Sequence, residues 1–302
     1  MTGFDKPTCY SLLDFGNGRK LERFGNYLFD RPCPSADGIE KKNRSLWKKA
    51  DYLFLQDEKK SNSERGHWIP EIPSFNFSHG LFSLHLRGTP FGHIGIFPEQ
   101  FPNWQRIHSL VKQTERPLRV LNLFAYTGGS SFAAACPNIE VVHVDSSKSV
   151  VNWAKQNAEL NEITTSIRFI SEDARRFVKR EIKRNNRYDA VILDPPSYGH
   201  GTKGEVWQLE KHLPELLADL SVMLSENPVF ILLTAHTPQY DGKMLMQLLD
   251  AAGLSCRFHE CETFPMNISA ESGGVLSCGY GTICKTSVSA VSNQCRSFAD
   301  NR

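Results

Sequence analysis

The chain has 302 residues, of which 40% are hydrophobic and 23% charged, as is ordinary for soluble globular proteins. Its formal net charge of +2 excludes a strongly acidic or basic composition, so charge neither requires nor rules out a nucleic-acid partner. The N-terminus lacks a basic stretch followed by an apolar one, and the longest strongly apolar run, "VFILL", is far too short to span a bilayer. We therefore expect a cytoplasmic protein with no membrane partner.

Residues 1–105 predict a small β-rich or α+β accessory region. Gly, Pro, Asn and Ser punctuate this stretch, aromatic residues are scattered through it, and helical periods are few. It contains a charged patch, "EKKNRSLWKK", at residues 40–49. At the other end of the chain, residues 287–302 are polar and aperiodic, which predicts a frayed tail.

Between residues 106 and 286 short apolar runs alternate with helical patterns, which is typical of βαβ units in an α/β fold with a parallel sheet. The segment "SKSVVNWAKQNAELN" predicts a helix with one apolar face formed by Val150, Trp153, Ala154 and Ala158. Two later runs, "CRFHECETF" and "VLSCGYGTIC", predict a terminal strand pair. Five runs predict the parallel strands: 119–124, 140–144, 167–170, 188–194 and 228–234.

Eight cysteines are scattered along the chain, with no Cys-x-x-Cys pair and no Cys/His cluster at zinc-ligand spacing. We therefore expect no metal site. Reduced thiols, the usual state of cysteines in a cytosolic protein, are the expected form.

The carboxyl ends of the predicted strands are the places to look for a ligand, because open parallel α/β sheets bind ligands there. The first strand is followed by "FAYTGGSS", residues 124–131. Its adjacent glycines let the backbone approach a ligand and turn into a helix N-terminus, where free N–H groups can meet an anionic group. The Gly-x-Gly-x-x-Gly fingerprint of NAD-dependent oxidoreductases is absent from this loop. A simple tight turn explains it equally well.

Two aspartates follow the next two strands. Asp145 ends "VVHVD" and could accept both hydroxyls of a ribose, although Asp145 or Ser146 could instead cap the following helix. Asp173, in "SEDARRF", could accept a hydrogen bond from an adenine amino group, but it also stands where a helix N-cap is expected. Together the three strand ends indicate a nucleoside ligand.

The fourth strand runs into "DPPSY", which holds Asp194 at a stiff, extended exit. Proline fixes φ and donates no N–H, so the carbonyls of this exit are expected to be free to accept hydrogen bonds from outside. Rigid acceptors beside the aromatic ring of Tyr198 suit a planar base that is gripped by its amino group and stacked. The alternative is a Pro-Pro turn without function, but an unpaired carboxylate at the end of a buried strand is costly.

These residues resemble a known family. The runs "VLNLFAYTGG", "VVHVDSS", "SEDARRF" and "ILDPPSYG" are similar, in order and spacing, to motifs I to IV of class I S-adenosylmethionine-dependent methyltransferases. More narrowly they resemble the bacterial 23S ribosomal-RNA large-subunit methyltransferase group, with its Leu-Asn-x-Phe-x-Tyr-Thr-Gly loop and Asp-Pro-Pro exit. The resemblance covers residues 90–285 and includes an upstream segment that matches at Gly95, Phe97 and Gln100.

The resemblance implies a Rossmann-like fold, a cofactor and a site. The fold would be a mostly parallel seven-stranded sheet with an antiparallel terminal strand and an N-terminal extension. The domains would be an accessory region at 1–105, a methyltransferase domain at 106–286 and a tail at 287–302. S-adenosyl-L-methionine would be the cofactor and RNA, most plausibly ribosomal RNA, the partner.

Residue by residue, the resemblance places the methionine part of the cofactor near the first loop, the ribose at Asp145 and Ser146, and the adenine at Asp173 and Ala174. Asp194 would face both the methyl group and the acceptor. No protein nucleophile is required, because a sulfonium methyl is already electrophilic. The residues of the first loop that carry over are Phe124, Ala125, Thr127 and Gly128, and those of the acceptor side are Asp194, Pro195, Pro196 and Tyr198.

One departure from the group bears on the acceptor atom. Its cytosine-C5 members use a cysteine just after the fifth strand as a covalent nucleophile. Here Ala235 and His236 stand at that place, which favours transfer to a base nitrogen over transfer to carbon.

The substrate has rival interpretations. The segment 175–187 is rich in Arg and Lys, and either a phosphate-binding surface or a solvated helix face would explain it. His236 and His200 could move a proton, although a lone histidine is more often structural. A methyltransferase that acts on protein or a small molecule, and a non-catalytic RNA-binding factor with the same fold, remain alternatives.

Overall fold

The computed structural model describes residues 10–57, 65–163, 166–201 and 204–286. The predicted C-terminal tail therefore lies outside the described residues. So do Cys9, Cys295 and Lys203.

The chain folds as two compact units. Among the described residues, the N-terminal unit comprises those as far as Phe101 together with Met266–Cys278. The α/β unit comprises the described residues of Pro102–Pro265 and those from Gly279 to residue 286.

The N-terminal unit is built on a five-stranded sheet, in agreement with the β-rich prediction. Its strands, in both chain order and spatial order, are β1 (Tyr10–Gly16), β2 (Arg19–Phe24), β3 (Tyr27–Pro32), β4 (Tyr52–Gln56) and β5 (Gly66–Ile69). A short helix, α1 (Arg44–Trp47), lies between β3 and β4 in the chain. A separate antiparallel hairpin is formed by β6 (Phe75–Ser78) and β7 (Ser83–Leu86).

A buried carboxylate holds the segment that contains α1. Asp14 of β1 is fully buried and accepts hydrogen bonds from Trp47 Nε1 at 2.8 Å, the Asn43 backbone N–H at 3.0 Å and Ser272 Oγ at 2.7 Å. The Lys42 backbone N–H approaches the same carboxylate at 3.4 Å. Burial alone would raise the pKa of Asp14, but these hydrogen bonds outweigh it and lower the pKa below its usual value. The segment is thus fixed to β1 through an ionised side chain.

The α/β unit contains the predicted parallel sheet. Its parallel strands are β8 (Leu118–Leu123), β9 (Ile139–Asp145), β10 (Ile167–Ser171), β11 (Ala190–Leu193) and β14 (Phe230–Ala235). Between β11 and β14 in the chain lies a hairpin of β12 (Tyr198–His200) and β13 (Val206–Gln208). The chain ends its regular structure with β15 (Glu260–Ser269) and β16 (Val275–Lys285), whose 266–278 portion belongs to the N-terminal unit.

The seven-stranded sheet has the order β10-β9-β8-β11-β14-β16-β15, and β16 pairs antiparallel with β14. The predicted fold class, a mostly parallel sheet with an antiparallel terminal strand and a β-rich extension, is therefore confirmed. The helices are α2 (Phe101–Lys112), α3 (Gly129–Ala134), α4 (Lys148–Leu160), α5 (Ala174–Lys183), α6 (Leu209–Met223) and α7 (Gly242–Ala251).

The predicted apolar face of α4 is largely confirmed. In α4 Trp153, Ala154 and Ala158 are buried, whereas Val150 is half-buried and Val151 takes its place in the core.

No helix in the described part of the chain is long and apolar enough to cross a membrane.

The expectation of reduced thiols is wrong for one pair of cysteines. Cys261 of β15 and Cys284 of β16 form a disulfide, because the neighbouring strands bring their Cα atoms to 4.0 Å from each other. Sequence spacing gives no sign of this pair, since a separation of 23 residues matches no metal or redox motif. The other cysteines of the described residues form no disulfide: Cys33, Cys136, Cys256 and Cys278.

Asp14→Asn should lower the free energy of unfolding by about 3 kcal/mol. The side-chain amide of asparagine replaces one acceptor oxygen by an NH2 group, which is itself a donor and cannot accept hydrogen bonds from the N–H and O–H groups around this position. The carboxylate contributes this stability above the pKa of an unfolded aspartate, roughly 3.9, and loses it as the pH falls towards the lower folded value. Urea unfolding of the full chain at several pH values measures both effects. The matched control is Asp37→Asn at an exposed position of the same unit, and an equal loss in both variants would contradict the anchoring role.

Candidate active site

The candidate site residues lie where three parallel strands end at the same level. Leu123, the last residue of β8, pairs with Val144 of β9 on one side and with Leu193 of β11 on the other. The residues that follow Val144 and Leu193 are Asp145 and Asp194. Both aspartates therefore leave the same edge of the sheet as the loop after β8.

The loop after β8 has a strained backbone. Phe124 and Tyr126 both lie in the left-handed region, with φ of 57° and 48°. Bulky residues adopt this region rarely, at a cost of about 1–3 kcal/mol each, and such residues cluster at functional sites. The strain is thus a structural sign of function that no sequence pattern revealed.

Hydrogen bonds from several elements hold this strained loop. The Ala125 backbone N–H donates to a carbonyl of β9 at 3.1 Å, and the Tyr126 backbone N–H donates to Asp145 Oδ2 at 3.0 Å. The buried Asn157 of α4 donates through Nδ2 to the carbonyl of Thr127 at 2.9 Å. The loop and Asp145 therefore form one connected structure.

The adjacent glycines serve packing and the turn. Gly128 has φ of 104° and caps α3, which begins at Gly129. A Cβ on Gly129 would lie 2.3 Å from the ring of Trp104, and one on Gly128 would lie 2.5 Å from the ring of Phe132. Close packing in the fold is thus enough to require both glycines, which favours the tight-turn explanation of this pair.

Beneath the loop, a buried polar chain connects β8, α3 and β9. Asn122 Nδ2 donates to Ser131 Oγ at 2.9 Å, and Ser131 Oγ lies 3.0 Å from His143 Nδ1. Burial lowers the pKa of His143 to about 3, so the ring is neutral and Nδ1 can accept a hydrogen bond from the Ser131 hydroxyl. These hydrogen bonds fix the start of α3 relative to β8 and β9.

Asp145 is held as an acceptor and is not a helix cap. Its Oδ1 accepts from the Ser147 backbone N–H at 2.9 Å, while Oδ2 accepts from the loop. The N-cap of α4 is Ser147, so the alternative that Asp145 or Ser146 caps this helix is wrong. Burial raises the pKa of Asp145 despite these two hydrogen bonds. Since a carboxylate offers about four lone-pair positions, the group can still accept two further hydrogen bonds.

Asp173 does cap its helix. Its Oδ1 accepts from the Arg176 backbone N–H at 3.1 Å at the start of α5, and Oδ2 lies 3.5 Å from Arg175 Nη2. The next residue, Ala174, is buried at the start of the helix. A pocket of roughly 300 Å³ opens beside Asp173, lined also by Ser171 and several charged side chains. The capping role is established, and the carboxylate also borders a pocket.

Asp194 is oriented from the neighbouring strand β14. Its Oδ1 accepts a hydrogen bond from the Thr234 hydroxyl at 2.6 Å and lies 3.0 Å from His236 Nε2. Thr234 is buried, whereas the side chain of Asp194 keeps about a quarter of its surface exposed. The carboxylate is thus oriented from β14 and keeps part of its surface accessible at the edge of the sheet.

The proline exit differs from the expectation of free carbonyls. Trp207 donates from Nε1 to the carbonyl of Pro196 at 2.7 Å, so this acceptor is already engaged. The indole also packs against Phe124, with ring centroids 4.7 Å apart, and it thereby connects the first loop with the exit. Pro195 is buried and Pro196 exposed. The sequence offered no signal for Trp207, because an aromatic residue in a glycine-rich loop has no fixed partner.

Tyr198 opens β12 of the hairpin that follows the prolines. Its backbone pairs with Gln208 of β13, and its side chain is 52% exposed. An exposed ring on a short paired strand is suitably placed for stacking.

Most of the positive charge of segment 175–187 is paired with acidic side chains. Five of its seven cations form ion pairs, which favours the solvated-face explanation over the phosphate-binding one. Glu181, the acid within the segment, is buried and accepts from Tyr188 Oη at 2.8 Å. The pairs are Arg175–Asp173, Arg176–Glu205, Lys179–Glu215, Arg180–Glu172 and Arg184–Glu181.

The upstream positions of the resemblance lie in the N-terminal unit. Gly95 has φ of 96°, a conformation that glycine adopts without strain, and Gln100 is buried. Phe97 directly precedes the turn that leads into α2.

Comparison with known proteins places the chain among methyltransferases. The family described as "Conserved hypothetical protein 95" matches residues 105–234. The "Ribosomal RNA large subunit methyltransferase K/L" of Pseudoalteromonas atlantica is 37% identical over 138 residues, 45% of this chain and 18% of that protein. The protein of the same name from Hahella chejuensis is 33% identical over 183 residues, 59% of this chain and 23% of that protein. The chain thus spans less than a quarter of these curated relatives.

A solved structure matches almost the whole chain. The S-adenosylmethionine-dependent methyltransferase from Agrobacterium tumefaciens is 34% identical with a TM-score of 0.84, over 92% of this chain and 90% of that one. Identity at this level, along nearly the full length of both proteins, extends to both units. The chain therefore belongs to the family of S-adenosylmethionine-dependent methyltransferases.

Proposed function

We propose that this chain transfers the methyl group of S-adenosylmethionine to a base nitrogen of RNA, with ribosomal RNA as the substrate. The observation that carries the proposal is the carboxylate of Asp194, oriented by Thr234 and His236 at the strand end next to the strained loop. A cytoplasmic location, expected from the sequence, is part of the same proposal.

The donor set at the first three strand ends fits the cofactor. Asp145 keeps lone pairs for the two ribose hydroxyls, and Asp173 borders a pocket where an adenine amino group could donate to it. Phe124, Ala125, Thr127 and Gly128 would border the methionine part, with Ser146 and Ala174 beside the nucleoside. When bound, the cofactor supplies an electrophilic methyl group on a sulfonium.

The acceptor side is suited to a planar base. Asp194 would accept an N–H of the base and so align the nitrogen lone pair with the methyl group. The exposed ring of Tyr198 would stack on the base, while Pro195 and Pro196 keep the exit rigid. After transfer the nitrogen must lose a proton. Asp194 would accept this proton, and His236, whose Nε2 lies 3.0 Å from Asp194 Oδ1, could take it further.

The choice of nitrogen over carbon follows from the end of β14. Cytosine-C5 transfer needs a thiolate there to form a covalent bond with the base. The chain instead has Ala235, which is buried, and then His236, which contacts Asp194. Nothing at this position can perform the nucleophilic step.

The RNA substrate is supported by the two curated relatives described above, which are both named ribosomal RNA large subunit methyltransferases. Because the chain spans only part of those proteins, the substrate needs a direct test. Purified protein incubated with labelled S-adenosylmethionine and deproteinised ribosomal RNA should transfer label to RNA, and mass spectrometry of the digested RNA should locate it on a base nitrogen. Label on carbon, or label on protein but not RNA, would contradict the proposal.

Asp145→Ala should weaken binding of S-adenosylhomocysteine by about 10- to 100-fold, since it removes two hydrogen bonds to a charged acceptor. Isothermal calorimetry measures the change. Glu140→Ala, at an exposed position of the same strand, is the matched control and should bind like the wild type.

The affinity of the wild type should also depend on pH. Ribose hydroxyls donate to the ionised form of Asp145, and burial raises the pKa of this group. As the pH falls, the affinity should therefore begin to decline at a higher pH than it would if Asp145 had the pKa of an ordinary aspartate, roughly 3.9. A decline of the same size in Asp145→Ala would show that another group is responsible.

Asp194→Ala should lower kcat for RNA methylation by at least about 100-fold while cofactor affinity stays within about tenfold, a change of no more than roughly 1.4 kcal/mol. Thr234→Val, which removes only the hydroxyl that orients Asp194, should give a smaller loss of kcat. Single-turnover transfer and calorimetry separate the two effects. Full activity in Asp194→Ala would overturn the role of this carboxylate.

A further inference from the structure

We propose that residues 41–49 of the N-terminal unit, "KKNRSLWKK", bind the phosphate backbone of the substrate RNA. The inference rests on the proposed RNA substrate and names a surface that contacts it. Five cations occupy these nine positions: Lys41, Lys42, Arg44, Lys48 and Lys49. We call this stretch the basic segment.

The cations of the basic segment have no carboxylate at ion-pair distance among the described residues, and Asp30 and Asp14, the two carboxylates that act electrostatically on Lys41, are buried. Within the described part of the chain, none of the five takes part in an ion pair. Lys42 Nζ donates to the backbone carbonyl of Gly273 at 2.8 Å, which leaves its charge uncompensated. Four of the side chains are exposed: Lys42, Arg44, Lys48 and Lys49.

The contrast with segment 175–187 is the main support for the assignment. That segment has more cations in sequence, yet carboxylates lie against five of its seven, such as Glu215 at 2.6 Å from Lys179. Binding a phosphate at those five positions would require breaking an existing ion pair. In the basic segment a phosphate meets a cation directly, and the release of counterions from RNA favours binding.

The basic segment is also held in one conformation. Buried Asp14 accepts hydrogen bonds from Trp47 Nε1 and from the backbone N–H of Asn43. The side chain of Asn43 caps α1 by accepting from the Leu46 N–H at 3.3 Å. Lys41 Nζ lies 3.5 Å from the centre of the Trp47 ring. Because the backbone is fixed before binding, less conformational entropy is lost when RNA docks.

The test compares two triple substitutions that remove the same charge. One is Arg44→Gln with Lys48→Gln and Lys49→Gln. The other, the control, is Lys179→Gln with Lys183→Gln and Arg184→Gln, three exposed cations of segment 175–187, of which Lys179 and Arg184 are paired with carboxylates. Fluorescence anisotropy with a fluorescein-labelled single-stranded RNA of mixed sequence gives the Kd over a range of salt concentrations.

The first triple should raise the Kd about tenfold or more at low salt and lower the slope of log K against log salt by about 2, roughly 0.7 for each lost phosphate contact. The control should stay within about twofold of the wild type. Equal losses in the two triples, or an unchanged slope in the first, would overturn the assignment. So would tighter binding of the wild type to vesicles of anionic lipid than to RNA.

Folding and catalysis are checked separately. The charge-conserving variant Arg44→Lys with Lys48→Arg and Lys49→Arg should bind RNA like the wild type, and all variants should bind S-adenosylhomocysteine equally. In methylation of ribosomal RNA the first triple should raise KM and leave kcat unchanged, and a loss confined to kcat would overturn the assignment. If the wild type transfers no methyl group to RNA, the proposed function fails, and the binding comparison alone decides the surface.

Discussion

The parallel pairing of β8 with β9 and β11 determines the position of every candidate site residue in the α/β unit. Leu123, Val144 and Leu193 end the paired stretch at one level, so that the loop after β8, Asp145 and Asp194 leave the sheet side by side. β11 is buried along its whole length, and its apolar run fixes it between two neighbours. A shift of one residue in this pairing would move Asp194 by about 3.3 Å, more than the length of the hydrogen bonds that now orient it.

The same pairing explains how a strained loop persists beside the strand ends. Phe124 and Tyr126 hold left-handed backbone conformations because Asp145, Asn157 and the end of β9 supply hydrogen bonds that an unstrained loop would not make. Asp145 thus has two tasks in the proposed site, since it supports the loop and offers lone pairs to a ribose. A buried carboxylate with a raised pKa is poised for hydroxyl donors, which favour its ionised form.

The sequence predicted the five parallel strands to within about two residues because buried parallel strands are continuous apolar runs bounded by turn residues. It also located Asp145 and Asp194 at strand ends, because in an open parallel sheet the carboxyl ends of the strands are where ligands bind and where such residues are sought. It could not predict the Trp207–Pro196 hydrogen bond, the orientation of Asp194 by Thr234 or the anchoring of residues 41–49 by Asp14. These contacts join residues that are 11 to 40 positions apart, and no local periodicity encodes them.

Charge in the sequence and charge available to a ligand are different quantities in this protein. In segment 175–187 each of the five paired cations has a carboxylate within 3.5 Å, so that beyond the Debye length of roughly 10 Å the pair acts as a weak dipole. Residues 41–49 keep their charge because the carboxylate that anchors them, Asp14, is buried and accepts hydrogen bonds from Trp47, Ser272 and backbone N–H groups. A single buried acid therefore fixes the geometry of the segment without cancelling the exposed cations, and a polyanion is attracted by those uncancelled cations.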